Sequence, residues 1–583
     1  MIKTLAAQIK QYRLVSALTP LWMVGEVVCE MIIPVFMGMI VDKGIYGGDL
    51  HYIYSMGGRM IVVALFGFLF GVLGGFCGAK ASAGFARNLR KAMDDNIQTF
   101  SFANIDKFSP SSLVTRLTTD VTNLQNAYQM ILRMAVRAPM SMIVAMVMSF
   151  VLSPRLASVY LIAVVILGTI IFLLMRSTTK YFKQIFEKYD LMNESVQENV
   201  SAIRVVKAYV REDHEISKFK KASANIYLMF LRAELRLAGM APIMMGTVYI
   251  CILLISWMGA HLVISSELTT GALMSLLTYC MNILMSLMML SMVFVMITMS
   301  EASARRIAEV LEEKTTISNP EHAVTEVRDG SITFDHVDFA YNKNSEEPVL
   351  RDITLDIHSG ETVGIIGATG SAKSSLVNLI SRLYDVTAGK VEVGGVDVRK
   401  YDLVTLRRSV AVVLQKNVLF SGTIYENLRW GDKNATDEEC RRACRLACAD
   451  EFIDKMPKGY DTYIEQGGSN VSGGQKQRLC IARALVAKPK VLILDDSTSA
   501  VDTATDAKIR SAFREDIPNT TKLIIAQRIS SVQDCDRVIV MDNGRVNGFD
   551  TPEHLLQNNA IYREVYESQT GVGGDNADFD SKE

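Results

Sequence analysis

Residues 361–375 read Glu361-Thr-Val-Gly-Ile-Ile-Gly367-Ala-Thr369-Gly370-Ser371-Ala372-Lys373-Ser374-Ser375. The first six form a short apolar run suited to a buried strand, and a helical pattern opens at the far end. Between them lies a loop of the GxxxxGK[ST] kind, whose backbone N–H groups and helix dipole cradle phosphates. Lys373 is placed to reach β and γ phosphates and Ser374 to ligate Mg²⁺. Position 372 departs from the pattern. Ala replaces Gly there, and its methyl group either strains a backbone that prefers positive φ or crowds the phosphate.

Downstream, Val491-Leu-Ile-Leu-Asp495-Asp496 is an apolar strand ending in carboxylates, with Asp495 suited to hold the Mg²⁺ shell. Upstream of that strand, Val471-Ser472-Gly473-Gly474-Gln475 combines a hydroxyl, bare backbone and a helix start, a second anion-binding surface. A phosphate loop, this segment and an acidic strand, in that order, resemble an ATP-binding cassette (ABC) protein, and VSGGQ is similar to its LSGGQ signature.

The resemblance implies an α/β P-loop nucleotide-binding domain that uses ATP and Mg²⁺. It places Tyr341 where an aromatic stacks on adenine and Gln415 where the Q-loop senses Mg²⁺. Ser499-Ala-Val-Asp502 is similar to the D-loop that crosses to a partner cassette, and Glu465 approximates the acidic X-loop residue, one register off. Besides Ala372, two further positions depart from the family pattern. Asp496 stands where a Glu normally polarises the attacking water, and Gln527 stands where a His contacts the γ-phosphate. With Ala372 these changes imply a site that binds ATP and turns it over slowly, while Ser472, Gly473, Gly474 and Gln475 can complete another chain's site. The implied partner is a homologous half-transporter in a heterodimer, the chain resembling the degenerate-site subunit of bacterial multidrug exporters.

The residues ahead of the cassette carry six apolar segments, at about 15–41, 57–79, 134–152, 156–175, 239–263 and 271–299. A helix crosses a bilayer core in about 20 residues, so each is long enough or nearly so. The third is interrupted by Arg137. Lys and Arg concentrate in 80–133 and 176–237, which puts these stretches and both termini in the cytoplasm of a multi-pass protein. Residues 2–12 have the spacing of an interfacial helix. The long cytoplasmic stretches keep a helical pattern and should turn near Ser109 and Val210, the positions that the resemblance makes coupling helices. The expected domains are 1–311, a six-span α-helical membrane domain; 312–327, a linker; 328–567, the cassette; and 568–583, a flexible polar tail.

The chain balances 61 Lys+Arg against 62 Asp+Glu, which does not suggest a nucleic-acid binder. Its nine cysteines form no CxxC pair and read as reduced thiols. In the sixth span Met281, Met285, Met288, Met292, Met296 and Met299 recur every three or four residues, a flexible stripe that either lines a cavity for apolar cargo or packs on a neighbouring helix. Glu26 and Glu30 lie one turn apart in the first span, where each either pairs with Arg133 or Arg137 or attracts cationic amphiphiles. Together these features point to a small hydrophobic or amphipathic substrate. Peptide export, import of a metal chelate and a non-transport ABC assembly are the alternatives. The topology predicts that a cysteine placed at position 47 is labelled from outside intact cells and one at position 211 is not; the reverse pattern would overturn it.

Overall fold

The computed structural model describes residues 1–342, 347–496 and 501–570; Ser499, Ala500 and the tail beyond 570 lie outside them. The chain divides into two compact units, Met1–Gln98 with Pro110–Glu313, and Thr99–Ser109 with Lys314–Glu583.

Among the described residues six helices are long and apolar enough to cross a membrane. Their central stretches are α1 (Arg13–Met39), α2 (Leu50–Ile97), α3 (Val121–Leu152), α4 (Pro154–Ser201), α5 (Met240–Ile264) and α6 (Thr270–Glu312). α2 and α4 each run 48 residues. At 1.5 Å per residue that is about 70 Å, more than twice a hydrocarbon core, so these helices continue well past the bilayer. α2 ends at Ile97 and α4 at Ser201, ahead of the expected tips, and each is followed by a short helix that ends at one of them. Ser109 (φ 54°) ends the short helix Phe102–Phe108, and Val210 (φ 53°) ends the turn after Ile203–Ala208. Residues 2–12 are not one continuous helix. An α-helical turn, Ile2–Ala6, passes into a 3₁₀ stretch, Ala7–Tyr12, that Lys10 interrupts at φ 42°.

α1 packs on α2, α3 and α6. At one crossing, Gly38 and Gly271 bring two backbones so close that neither position has room for a Cβ. The buried Tyr279 donates its hydroxyl to the Met31 carbonyl at 2.5 Å, and Tyr160 donates to the Leu276 carbonyl at 2.7 Å, so α6 is tied to both α1 and α4. Pairing satisfies each phenol inside an apolar core. Arg137 of α3 reaches both acidic residues of α1, with Nη1 at 2.8 Å from Glu26 Oε1 and Nη2 at 3.0 Å from Glu30 Oε2. One guanidinium thus holds two carboxylates at membrane depth, while Arg133 makes no ion pair among the described residues. A cavity of about 480 Å³ opens beside the triad, and Gly71 of α2 lies against the Glu26 carboxylate while Gly67 lies against Cys29. Along α6, Met281, Met285, Met288, Met292 and Met299 are exposed in the single chain, whereas Tyr279, Cys280, Ile283, Leu284 and Leu287 on the other face are buried.

The cassette holds a six-stranded sheet. With β1 (Ile332–Phe339), β2 (Leu350–Ile357), β3 (Thr362–Gly367), β4 (Ala388–Val393), β5 (Val410–Val413), β6 (Val491–Asp495), β7 (Thr521–Ile525), β8 (Arg537–Asp542) and β9 (Arg545–Asp550), its order is β9-β8-β3-β7-β6-β5. β3, β5, β6, β7 and β8 are mutually parallel and β9 is an antiparallel edge. β6 and β7 are buried throughout, as strands covered on both faces must be. β2, β1 and β4 form a second, antiparallel sheet with the short Val396–Asp397 strand. Cys440 and Cys444 are buried in the apolar core beside this fold, and burial pushes both thiols up.

Removing Arg137 would strand two carboxylates, each costing about 3 kcal/mol at a helix centre on insertion scales. Arg137→Ala is therefore expected to lower the thermal midpoint of the detergent-purified protein by several degrees, and adding Glu26→Gln and Glu30→Gln to recover most of the loss. An unchanged midpoint in Arg137→Ala would show that the triad does not stabilise the bundle.

Candidate nucleotide site

The site is assembled where parallel strands end. β3 leads into the loop 367–372 and then into α7 (Lys373–Ile380). Gly367, Gly370 and Ala372 have φ of 151°, 88° and 72°, so three left-handed or extended-positive residues in six curl the backbone into an anion-binding nest. Gly367 has no space for a Cβ against the Met541 carbonyl. The sequence-based expectation of strain at 372 is met directly, because Ala372 occupies the left-handed region as the N-cap of α7. An L-residue there costs about 1 kcal/mol relative to Gly.

Lys373 Nζ donates to the Gly367 carbonyl at 2.7 Å and the Ala368 carbonyl at 2.9 Å. Ser374 Oγ donates to Asp495 Oδ1 at 3.0 Å, which brings two of the three expected Mg²⁺ ligands together, Gln415 being the third. A hydroxyl beside a carboxylate is the hard-oxygen set Mg²⁺ takes. Burial pushes the Asp495 carboxyl up, with Asp496 adding to the effect and Ser374 and Lys373 opposing it. Burial pulls the Lys373 ammonium down against the two aspartates. Each group is thus desolvated in a way that Mg²⁺ and phosphate respectively would compensate, and the residues present fit Mg·ATP.

Asp496 follows β6 at φ 48°, its N–H donating to the Ile525 carbonyl at 3.1 Å. Its carboxylate Oδ2 accepts a 2.7 Å hydrogen bond from Gln527 Nε2, so the two departing positions meet. Gln477, which sequence reading missed, donates from Nε2 to the Asp496 carbonyl at 3.4 Å. Gln415 is exposed just past β5. Tyr341 is half-exposed and exchanges a 2.9 Å hydrogen bond with Ser375 Oγ.

The signature segment is a capping box. Ser472 Oγ accepts from the Gln475 N–H at 3.3 Å and Gln475 Oε1 accepts from the Ser472 N–H at 2.9 Å, which fixes the start of α8 (Gly473–Val486). The S-x-x-Q spacing carried that signal in the sequence. Among the described residues Ser472 and Gln475 bond each other and not the phosphate loop. Asp502 caps α9 (Thr503–Asp516) by accepting from the Thr505 N–H at 2.9 Å. Glu465 accepts from Ser469 Oγ at 2.9 Å beside the signature.

Segment 99–109 belongs to the same unit as the cassette. Asp106 Oδ2 accepts from the Tyr384 hydroxyl at 2.7 Å, and the Tyr384 ring stands edge-on to Tyr341 with centroids 5.1 Å apart. No sequence motif marked Tyr384. Burial, reinforced by Asp106, pushes its phenol up.

Residues 21–288 match the family model for the ABC transporter transmembrane region and residues 350–499 that for the ABC transporter. An uncharacterized ABC transporter ATP-binding protein of Bacillus subtilis, YfiB, is 36% identical over 97% of this chain and 98% of its own. The chain belongs to the ABC transporter family. Rv1273c of Mycobacterium tuberculosis, also described as an uncharacterized ABC transporter ATP-binding protein, is 34% identical over 98% of this chain and 100% of its own. Among solved structures, a bacterial Atm1-family ABC exporter with ATP bound superposes with a TM-score of 0.81 at 22% identity, covering 96% of this chain and 99% of that one. This ABC transporter therefore joins a six-helix membrane domain of exporter fold to a C-terminal ATP-binding cassette.

Ala372→Gly should relieve the left-handed alanine and raise cassette stability by about 1 kcal/mol. Chemical denaturation of the purified protein measures this, and a variant no more stable than the parent would refute the strain.

Proposed function

We propose that this ABC transporter exports small hydrophobic or amphipathic molecules across the cytoplasmic membrane as one half of a heterodimer. In this reading its own ATP site hydrolyses slowly and its signature completes the partner's faster one. The observation that carries it is the Asp496–Gln527 hydrogen bond. Asp496 is one methylene shorter than Glu, and a water-positioning error of about 1 Å costs on the order of a hundredfold in rate. The amide of Gln527 occupies the carboxylate and brings no imidazole to the γ-phosphate. Ala372 adds a strained cradle.

The other half of the reading rests on the signature. Its capping box holds the α8 N-terminus ready for a phosphate, and a homodimer would set that surface against two slow sites. In its own site Lys373 binds phosphate, Ser374 and Asp495 hold Mg²⁺, and Tyr341 stacks on adenine. Bound Mg²⁺ supplies neutralisation of the phosphate oxygens. The exposed methionines of α6 supply a flexible, polarizable face for varied apolar cargo, which supports the substrate class. Glu26 and Glu30 act in this reading as ion-pair partners of Arg137 at the edge of a cavity, not as free carboxylates.

In the complex purified with its native partner, replacing the partner's catalytic Glu by Gln should nearly abolish ATP hydrolysis, whereas Asp496→Asn should leave most of it. Equal sensitivity to the two changes, or brisk hydrolysis by this chain alone, would refute the proposal.

A further inference from the structure

A second cavity in the cassette, of about 200 Å³, lies at the edge of the parallel sheet opposite the phosphate loop. Thr362 opens β3, and Lys522, the second residue of β7, lies opposite it in register. At about 3.3 Å per residue, the starts of these strands are roughly 16 Å from the ends that carry Gly367 and lead to Gln527. The last two turns of α9 contribute Arg510 and Arg514, and the turn before β8 contributes Asp534 and Asp536.

The charges around this cavity are unevenly paired. Arg510 pairs with Asp534 at 2.6 Å and with Asp506 at 3.3 Å. Asp536 Oδ2 accepts from the Thr362 N–H at 2.8 Å. Among the described residues Arg514 makes one long hydrogen bond, Nη2 to the Asp534 carbonyl at 3.4 Å. Lys522 is 2% exposed, and among the described residues its ammonium has no hydrogen bond or ion pair. Burial pulls that ammonium down, Arg514 adds to the effect and Asp536 opposes it. The ammonium nitrogen keeps slight access to the cavity, and a largely desolvated cation there is costly unless water or an anion compensates it. Arg510 is thus matched by two carboxylates, Asp534 and Asp506, whereas Arg514 and Lys522 share the lining with Asp536.

We propose that this cavity binds a small phosphate-like oxyanion, held by Lys522 and Arg514 with the Thr362 hydroxyl. The volume is below the roughly 300 Å³ at which drug-sized ligand sites begin, yet several times the roughly 30 Å³ of one water. Residues carrying donors line the cavity from three elements, β7, α9 and β3, which suits an acceptor with several oxygens. An anion there ties the far end of α9, the helix capped by Asp502, to the sheet. The site is separate from the ATP site and does not depend on the transport reading.

Equilibrium dialysis of radiolabelled inorganic phosphate against the full chain in nanodiscs, at physiological salt, tests it. Lys373→Ala removes the contribution of the phosphate loop. In that background one saturable site per chain is expected, weakened at least tenfold by Lys522→Met and by Arg514→Gln. Without phosphate, Lys522→Met should melt at the same temperature as its parent or higher, because it removes an unpaired charge at similar volume. No saturable binding in Lys373→Ala, or binding that both added substitutions leave intact, would overturn the proposal. A lowered melting temperature in phosphate-free Lys522→Met would do so too, since it would reveal an internal partner. Should Lys522→Met not fold, Arg514→Gln decides the binding result alone.

Discussion

The cassette depends on the register of three parallel strands. Ile525 of β7 lies opposite Ile365 of β3 on one side and Asp495 of β6 on the other, so the three strands end together. Everything the nucleotide site needs follows from that shared edge: the loop at Gly367, the carboxylate of Asp495 and the approach to Gln527. A slip of one residue would reverse every side chain on a strand, and burial of β6 and β7 on both faces makes such a slip prohibitive.

That frame tolerates unusual residues at its edge. Ala372 and Asp496 both sit at positive φ, the first in a position made for glycine, the second a residue type that enters the left-handed region more readily. The phosphate nest and the strand end keep their geometry while the side chains at 496 and 527 offer different chemistry. Binding rests on backbone amides, a lysine and a hydroxyl, which survive such changes. Hydrolysis rests on the reach and charge of two side chains, which do not.

In the membrane unit, several polar groups on α1, α3, α4 and α6 meet partners on neighbouring helices. Tyr279 and Tyr160 satisfy carbonyls on neighbouring helices, and Arg137 serves two carboxylates at once. In a medium without water, these bonds specify which helix faces meet. The exposed methionine face of α6 carries no such constraint, and its thioethers can repack.

The sequence by itself determined the elements whose signal is local. Six apolar runs, the Gly367–Ser375 loop, the acidic strand at Asp495 and the S-x-x-Q start of α8 are each short, periodic or spaced by backbone geometry. Strain at Ala372 was legible because the loop motif fixes the φ that residue must adopt. Tertiary structure alone decided the pairings between distant segments. Arg137, not Arg133, takes Glu26 and Glu30, although both arginines have the right spacing, because the choice depends on how α3 is rotated against α1. The Asp496–Gln527 bond joins residues 31 apart, and Tyr384 meets Asp106 across 278. The enclosure of Lys522 was invisible for the same reason: in sequence it is one polar residue in a strand, and the packing of α9 and the turn before β8 encloses it.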